Sequence, residues 1–273
     1  DAVTVTGIVQ SGAGSVLVSA GATMTLTDDV TSVGGAITLS ATTIDLDDTT
    51  DDALAISSGG GGGDVTLNAP VDAVGATADS LTLTAGSGNV VIPSAVGGGA
   101  RLGALTIASA ANVAGDAGAT ADTGTITAAT VTQTAGTGTS RFAQIDTNAA
   151  GGVDLNGAAF ALNGGVTTTA GGALTVTNSG TLTIADTTGP ADTATVDINL
   201  DGAFTQDGAG GVSVAGDIAT TNDAVSFAAP VTVFGDTGVD AGSATITFGN
   251  TVSGTSGGEI EDLTINSVGD TGS

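Results

Sequence analysis

The side chains able to do chemistry in this sequence are almost all carboxylates. The densest run is Asp45-Leu-Asp-Asp-Thr-Thr-Asp-Asp52, preceded by Asp28-Asp29. Hard oxygen ligands at alternate positions suit Ca²⁺, so Asp45, Asp47, Asp48, Asp51 and Asp52 are the candidate metal ligands. The run lacks the closing Glu of a helix–loop–helix Ca²⁺ loop, and solvated acidic turns on an exposed edge are the competing reading. Two carboxylates alone can hydrolyse a glycoside when one has a raised pKa, and 28 Asp+Glu make accidental pairs inevitable. Sugar-cleaving sites usually add aromatic platforms, and the chain has neither Trp nor Tyr.

Other chemistries fall by composition. With no Cys and no His there is no disulfide scaffold, thiol nucleophile, imidazole base, zinc finger or haem ligand. The only basic residues are Arg101 and Arg141. A net charge of −26 argues against binding bare nucleic-acid phosphate or an anionic membrane. Gly, Thr or Asp breaks every apolar run before the roughly 20 residues of a membrane-spanning helix. No cofactor is required by any motif, and the chain is expected not to be an enzyme.

The elements that must carry these residues are short strands. Val3-Thr-Val5, Leu81-Thr-Leu83, Leu105-Thr-Ile107, Leu182-Thr-Ile184, Val225-Ser-Phe227 and Leu263-Thr-Ile265 all read apolar–hydroxyl–apolar. Period two with β-branched residues places aliphatics inward and Thr or Ser outward. Gly, Asn, Asp and Ser between the triplets supply turns. The 273 residues can bury a substantial core, and 40% hydrophobic against 11% charged does not fit disorder. Strands of about three to five residues are expected, spaced too closely for helical crossovers.

Internal repeats decide the architecture. Asp64-Val-Thr-Leu-Asn-Ala-Pro-Val71 matches Ala224-Val-Ser-Phe-Ala-Ala-Pro-Val231 at an offset of 160. Val90/Ile246 follow at 156 and Leu105/Leu263 at 158, whereas Gln10-Ser-Gly-Ala-Gly14 and Gln206-Asp-Gly-Ala-Gly210 lie 196 apart. Residues 1–113 thus resemble 197–268, with extra segments of roughly one rung each near 19–27 and 40–63. Copies that accept inserted units are the mark of a solenoid, in which each coil touches only its neighbours. The expectation is an all-β fold, a right-handed parallel β-helix (β-solenoid) running as one domain over 1–273. It would have about 11–14 coils stacked at about 4.8 Å, a rod some 55–65 Å long.

Leu81-Thr-Leu-Thr-Ala-Gly-Ser-Gly-Asn-Val90, Leu102-Gly-Ala-Leu-Thr-Ile107 and Phe204-Thr-Gln-Asp-Gly-Ala-Gly-Gly-Val-Ser-Val214 resemble the filamentous-haemagglutinin-like β-strand repeats of large bacterial surface proteins. That resemblance covers nearly the whole chain and implies an extracellular or cell-surface location. It further implies a structural fibre or an adhesin. The family's secretion-domain motif and membrane barrel are not in the sequence. Right-handed β-helices also include pectate lyases and polygalacturonases. Those lyases need a basic residue beside carboxylate-bound Ca²⁺, a part that only Arg101 or Arg141 could play, and both are expected in turns. Gly59-Gly-Gly-Gly-Gly-Asp64 is similar to the Ca²⁺-binding nonapeptide of repeat toxins but occurs once.

The functional expectation is a segment or subunit of a β-solenoid fibre that stacks head to tail with further copies of itself. The copies run out of phase with the termini, as in an excerpt of a longer array. An alternative is an adhesin stalk recognising a host surface or polysaccharide. A remote one is a polysaccharide-active enzyme. Outward Thr pairs such as Thr82/Thr84 and Thr175/Thr177 could form an ice-binding lattice, but their irregular spacing is expected to break it. The turns at Gln10, Gln133 and Gln206 are expected to be structural, each Gln bonding local backbone.

Overall fold

The structure is a computed structural model that describes residues 1–48, 53–75, 78–187, 196–255 and 262–267. Among these residues every regular element is a strand, and the strands pair in parallel as a β-solenoid of about eleven turns. No helix is long and apolar enough to cross a membrane among the described residues. Contacts group the chain into two compact units, Asp1–Ala143 and Gln144–Ser273.

In the first unit each coil lays down three strand segments. The opening coil uses Val3–Val5, Ile8–Gln10 and Val16–Ser19, which pair with Met24–Leu26, Val30–Ser32 and Ile37–Ser40 of the next. Strands here run longer than expected: Val3–Gln10 has 8 residues and Thr23–Ser32 has 10. The reason is that the first corner is a bend inside a continuous strand. The register shifts between Val5 and Thr6, and Gly7 follows at φ 96°, a left-handed conformation open to glycine. Third segments form a separate, narrower sheet, with Val16, Ile37, Val65, Val90 and Val113 stacked in one column.

Inward columns make the core. Met24, Ile44, Val71, Val96 and Ile126 stack coil on coil, as do Leu54, Leu81, Leu105 and Val131, all with 0% exposure. Burying one such side chain stabilises by about 1.5–3 kcal/mol. The intervening Thr82, Thr106 and Thr132 face outward in a column of their own.

The second unit repeats this plan with shorter strands, mostly three residues. Its columns include Ile145, Val166, Ile198, Ile218 and Val239 on the first segments. Val153, Leu174, Phe204, Val225 and Ile246 stack on the second, and Phe160, Leu182, Val212, Val231 and Val252 on the third. Phe204, Phe227 and Phe248 form an aromatic run with ring centroids 5.0 and 5.3 Å apart.

Irregular spacing in sequence is absorbed by the turns rather than by the ladders. Thr175, Thr205, Ser226 and Thr247 stand in one outward column although their separations in sequence differ. The matched repeats also differ in phase. Val65 lies on a third segment, in the narrow sheet, whereas its counterpart Val225 lies on a second segment. Gln10 and Gln206, matched at the larger offset, both end second segments.

Candidate functional site

The acidic run lies beside the strand Thr43–Leu46. Ile44 and Leu46 point into the core, so Asp45 faces outward between them. Above and below it in the ladder stand Asp72 and Thr25. Burial pushes the Asp45 carboxyl above the ordinary carboxylate range, and the charges of Asp72 and Asp47 push the same way. Asp72 is already engaged, its Oδ1 accepting the N–H groups of Gly99 at 2.7 Å and Ala100 at 3.0 Å. Asp47 donates its N–H to Leu26 O at 2.9 Å, and Asp48 follows it beyond the end of the strand, both half-buried. Asp51 and Asp52 lie outside the described residues. Among the described residues no group of three or more acidic side chains is arranged to hold a metal ion.

Most of the remaining acids show a different use. Asp64 stands immediately before Val65, and its Oδ1 accepts the N–H of Asn89, one coil on, at 2.7 Å. Asn89 accepts from Asn112 Nδ2 at 2.8 Å, and Asn112 accepts the N–H of Thr139 at 2.8 Å. In the second unit Asp197 precedes Ile198 and accepts the N–H of Asp217 at 2.8 Å; Asp217 precedes Ile218 and accepts the N–H of Gly238. Asp236 accepts the N–H of Asp262 at 3.1 Å. Asp64, Asn112, Asp197, Asp217 and Asp236 at strand entries therefore each cap a backbone donor in the next coil, a place where an unpaired N–H would otherwise cost free energy. These roles are invisible to local motifs because donor and acceptor are a full coil apart. The legible signal is Asp or Asn placed directly before the first residue of a strand, an aliphatic in every case but Asp236, which precedes Thr237.

The second unit also holds a buried amide network. Gln206 Nε2 donates to Asn178 Oδ1 and Gly208 O, both at 2.8 Å, and its Oε1 accepts from the N–H groups of Ala228 and Ala229 at 3.1 Å. Asn178 Nδ2 donates to Gly180 O at 2.6 Å. Gln206 thus bonds local backbone as expected. Gln133 does not: it is 1% exposed, and its Nε2 and Oε1 have no hydrogen-bond partner.

The two arginines are structural in placement. Arg101 Nη1 donates to Ala128 O at 2.8 Å. Arg141 sits within the strand Thr139–Phe142, not in a turn, because Ser140 and Phe142 on either side of it face the core. Its Nε donates to Ala119 O at 3.1 Å. That loop is organised by Asp116, whose carboxyl is held below its ordinary range by the N–H of Ala121 and by the hydroxyl and N–H of Thr120.

One cleft of the second unit, about 290 Å³, is flanked by Asp217 and Asp240. Both carboxylates are occupied, Asp217 by Gly238 N–H and Asp240 by Gly242 N–H and Asn266 Nδ2.

The end coils differ from the rest in cover. Val231 and Val239 are 2% and 3% exposed, but Val252 and Ile265, stacked on them one coil further, are 40% and 51% exposed. In the opening coil of the first unit Val3 and Ile8 are half-buried, while Met24 and Val30 beneath them are fully buried. Matching against family models, curated proteins and solved structures finds no similar protein. The class of molecule is therefore defined by the fold alone, a parallel β-solenoid.

Proposed function

We propose that this chain is a structural segment of an extracellular or cell-surface β-solenoid fibre of the filamentous-haemagglutinin-like kind, and that its end coils pair with the coils of further copies. The observation that carries this reading is the loss of cover at Val252 and Ile265, inward-type aliphatics left open at the last described coil. A parallel coil added there buries them and pairs the free edges of Ile246–Phe248 and Val252–Gly254, which among the described residues bond on one side only. The carboxylates fit a non-catalytic role, since most of those described above hold backbone amides. A net charge of −26 keeps neighbouring fibres apart at low salt, and divalent cations are expected to bundle them.

Sedimentation velocity across a concentration series tests the reading. End-to-end association should grow with concentration, and Val252→Asp should suppress it while leaving the circular dichroism spectrum unchanged. A chain that stays monomeric at every concentration contradicts it.

A further inference from the structure

We propose that the narrow-sheet face of the second unit carries a binding site for a neutral oligosaccharide, centred on Phe234. A cleft of about 400 Å³ opens on this face, lined by Thr181, Thr183, Gly211, Ser213, Thr232 and Phe234. That volume falls within the range of small-molecule sites.

Phe234 is the feature that the fold does not explain. Phe142, Phe160, Phe204 and Phe227 are at most 1% exposed, whereas Phe234 is 55% exposed. The same position in the two preceding coils holds Ala185 and Ala215. All three residues donate their N–H to the aliphatic of the coil below: Ala185 to Leu162 O, Ala215 to Ile184 O and Phe234 to Val214 O. The solenoid is thus satisfied by a methyl group here, and the third coil presents a ring to solvent instead.

Beside the ring runs a column of hydroxyls. Thr183, Ser213, Thr232 and Ser253 pair in register, one per coil. The rise is about 4.8 Å, close to the length of one hexopyranose unit. Gly211 opens the floor: a Cβ added there would meet nothing nearer than Pro230 O at 3.6 Å. Among the described residues no charged side chain lines the cleft, on a chain whose net charge is −26.

These features select a ligand class. A periodic polyol can lay a C–H face on the Phe234 ring and exchange hydrogen bonds with successive hydroxyls. An apolar lipid chain would strip water from the hydroxyls without replacing it. An acidic glycan meets no counter-charge and is repelled by the surrounding field. The site borders the end coil through Ser253, whereas Thr181, Thr183, Gly211, Ser213, Thr232 and Phe234 lie on the coils before it, so sugar binding and end-coil pairing are read by separate measurements.

Calorimetric titration of the intact chain with cellohexaose, mannohexaose and hexagalacturonate provides the test. At least one neutral hexasaccharide should saturate, with an affinity insensitive to salt, and hexagalacturonate should bind more weakly. Phe234→Ala should weaken binding about three- to tenfold, and Thr232→Val, which keeps the shape and removes the hydroxyl, about threefold or more. Gly211→Val should block the cleft. Unchanged circular dichroism melts certify that each variant folds. The proposal is overturned if no neutral sugar titrates at about 10 mM, if hexagalacturonate binds as well, or if Phe234→Ala binds like the parent. It is equally overturned if Phe234→Ala alters sedimentation of the sugar-free chain, since the ring would then be packing on a second copy. Loss of Val252-dependent association with sugar binding intact would overturn the fibre reading alone.

Discussion

The carboxylate of Asp197 accepts the backbone N–H of Asp217, one coil further along, at 2.8 Å. Its other oxygen takes the N–H of Thr187 at 2.9 Å and the Thr187 hydroxyl. Asp197 is 6% exposed, so those donors have little water to turn to if the carboxylate is lost. Asp197→Ala should therefore lower unfolding free energy by about 1.5–3 kcal/mol. Asp197→Asn, which keeps one acceptor oxygen, should cost less. Urea denaturation reads both, and an alanine variant with the parent midpoint would show that the bond is idle.

Asp45 points the other way. Its carboxyl is raised by burial first and then by Asp72 and Asp47, so the folded state holds the proton more tightly than the unfolded chain, whose reference is 3.8. Between 3.8 and the raised folded value the native state binds more protons, and stability falls as pH rises through that window. Above it the ionised Asp45 is a standing cost. Asp45→Asn should raise the melting temperature at neutral pH and leave it unchanged well below pH 3.8. A drop at neutral pH would mean that the charge is being used, for instance by a bound cation.

The aromatic run ranks two substitutions. Phe227 is 1% exposed and lies between Phe204 and Phe248, 5.0 and 5.3 Å away. Phe227→Ala opens a cavity inside the column and should cost about 3–5 kcal/mol. Phe248 is only half-buried at the end of the run, so Phe248→Ala should cost clearly less. Equal losses in thermal melts would contradict the cover assigned to the end coils.

Gln133 stacks on Ile107 in an otherwise aliphatic column, and its amide is buried without a partner. Gln133→Met keeps the length and removes the unpaired groups. A gain of about 1–2 kcal/mol is expected. Lower stability in the same assay would show that the amide is bonded in solution, as a buried water would do.

The strand pattern was legible because inward and outward residues alternate with nothing to disturb them. Leu81-Thr-Leu83 and Val212-Ser-Val214 read the same in sequence and in structure. Corners were less legible. In Thr23–Ser32 the chain turns within a strand, so two faces read as one element. Phase along the coil was not legible: the long match between Val65 and Val225 joins different faces, since turns vary in length and leave no period to count. Arg141 was read as a turn residue because small and polar neighbours surround it, yet Ser140 fills an inward position at 1% exposure. The candidate Ca²⁺ ligands rested on adjacency in sequence. The ladder also sets Asp45 against Asp72, and local order along the chain carries no trace of that pairing.

Fibre diffraction from an aligned film of the assembled chain tests the central claim most directly. Coils stacked along the fibre should give a meridional reflection near 4.8 Å with the strands perpendicular to the long axis. The same spacing found on the equator, or absent from the pattern, would contradict an axial stack of parallel coils.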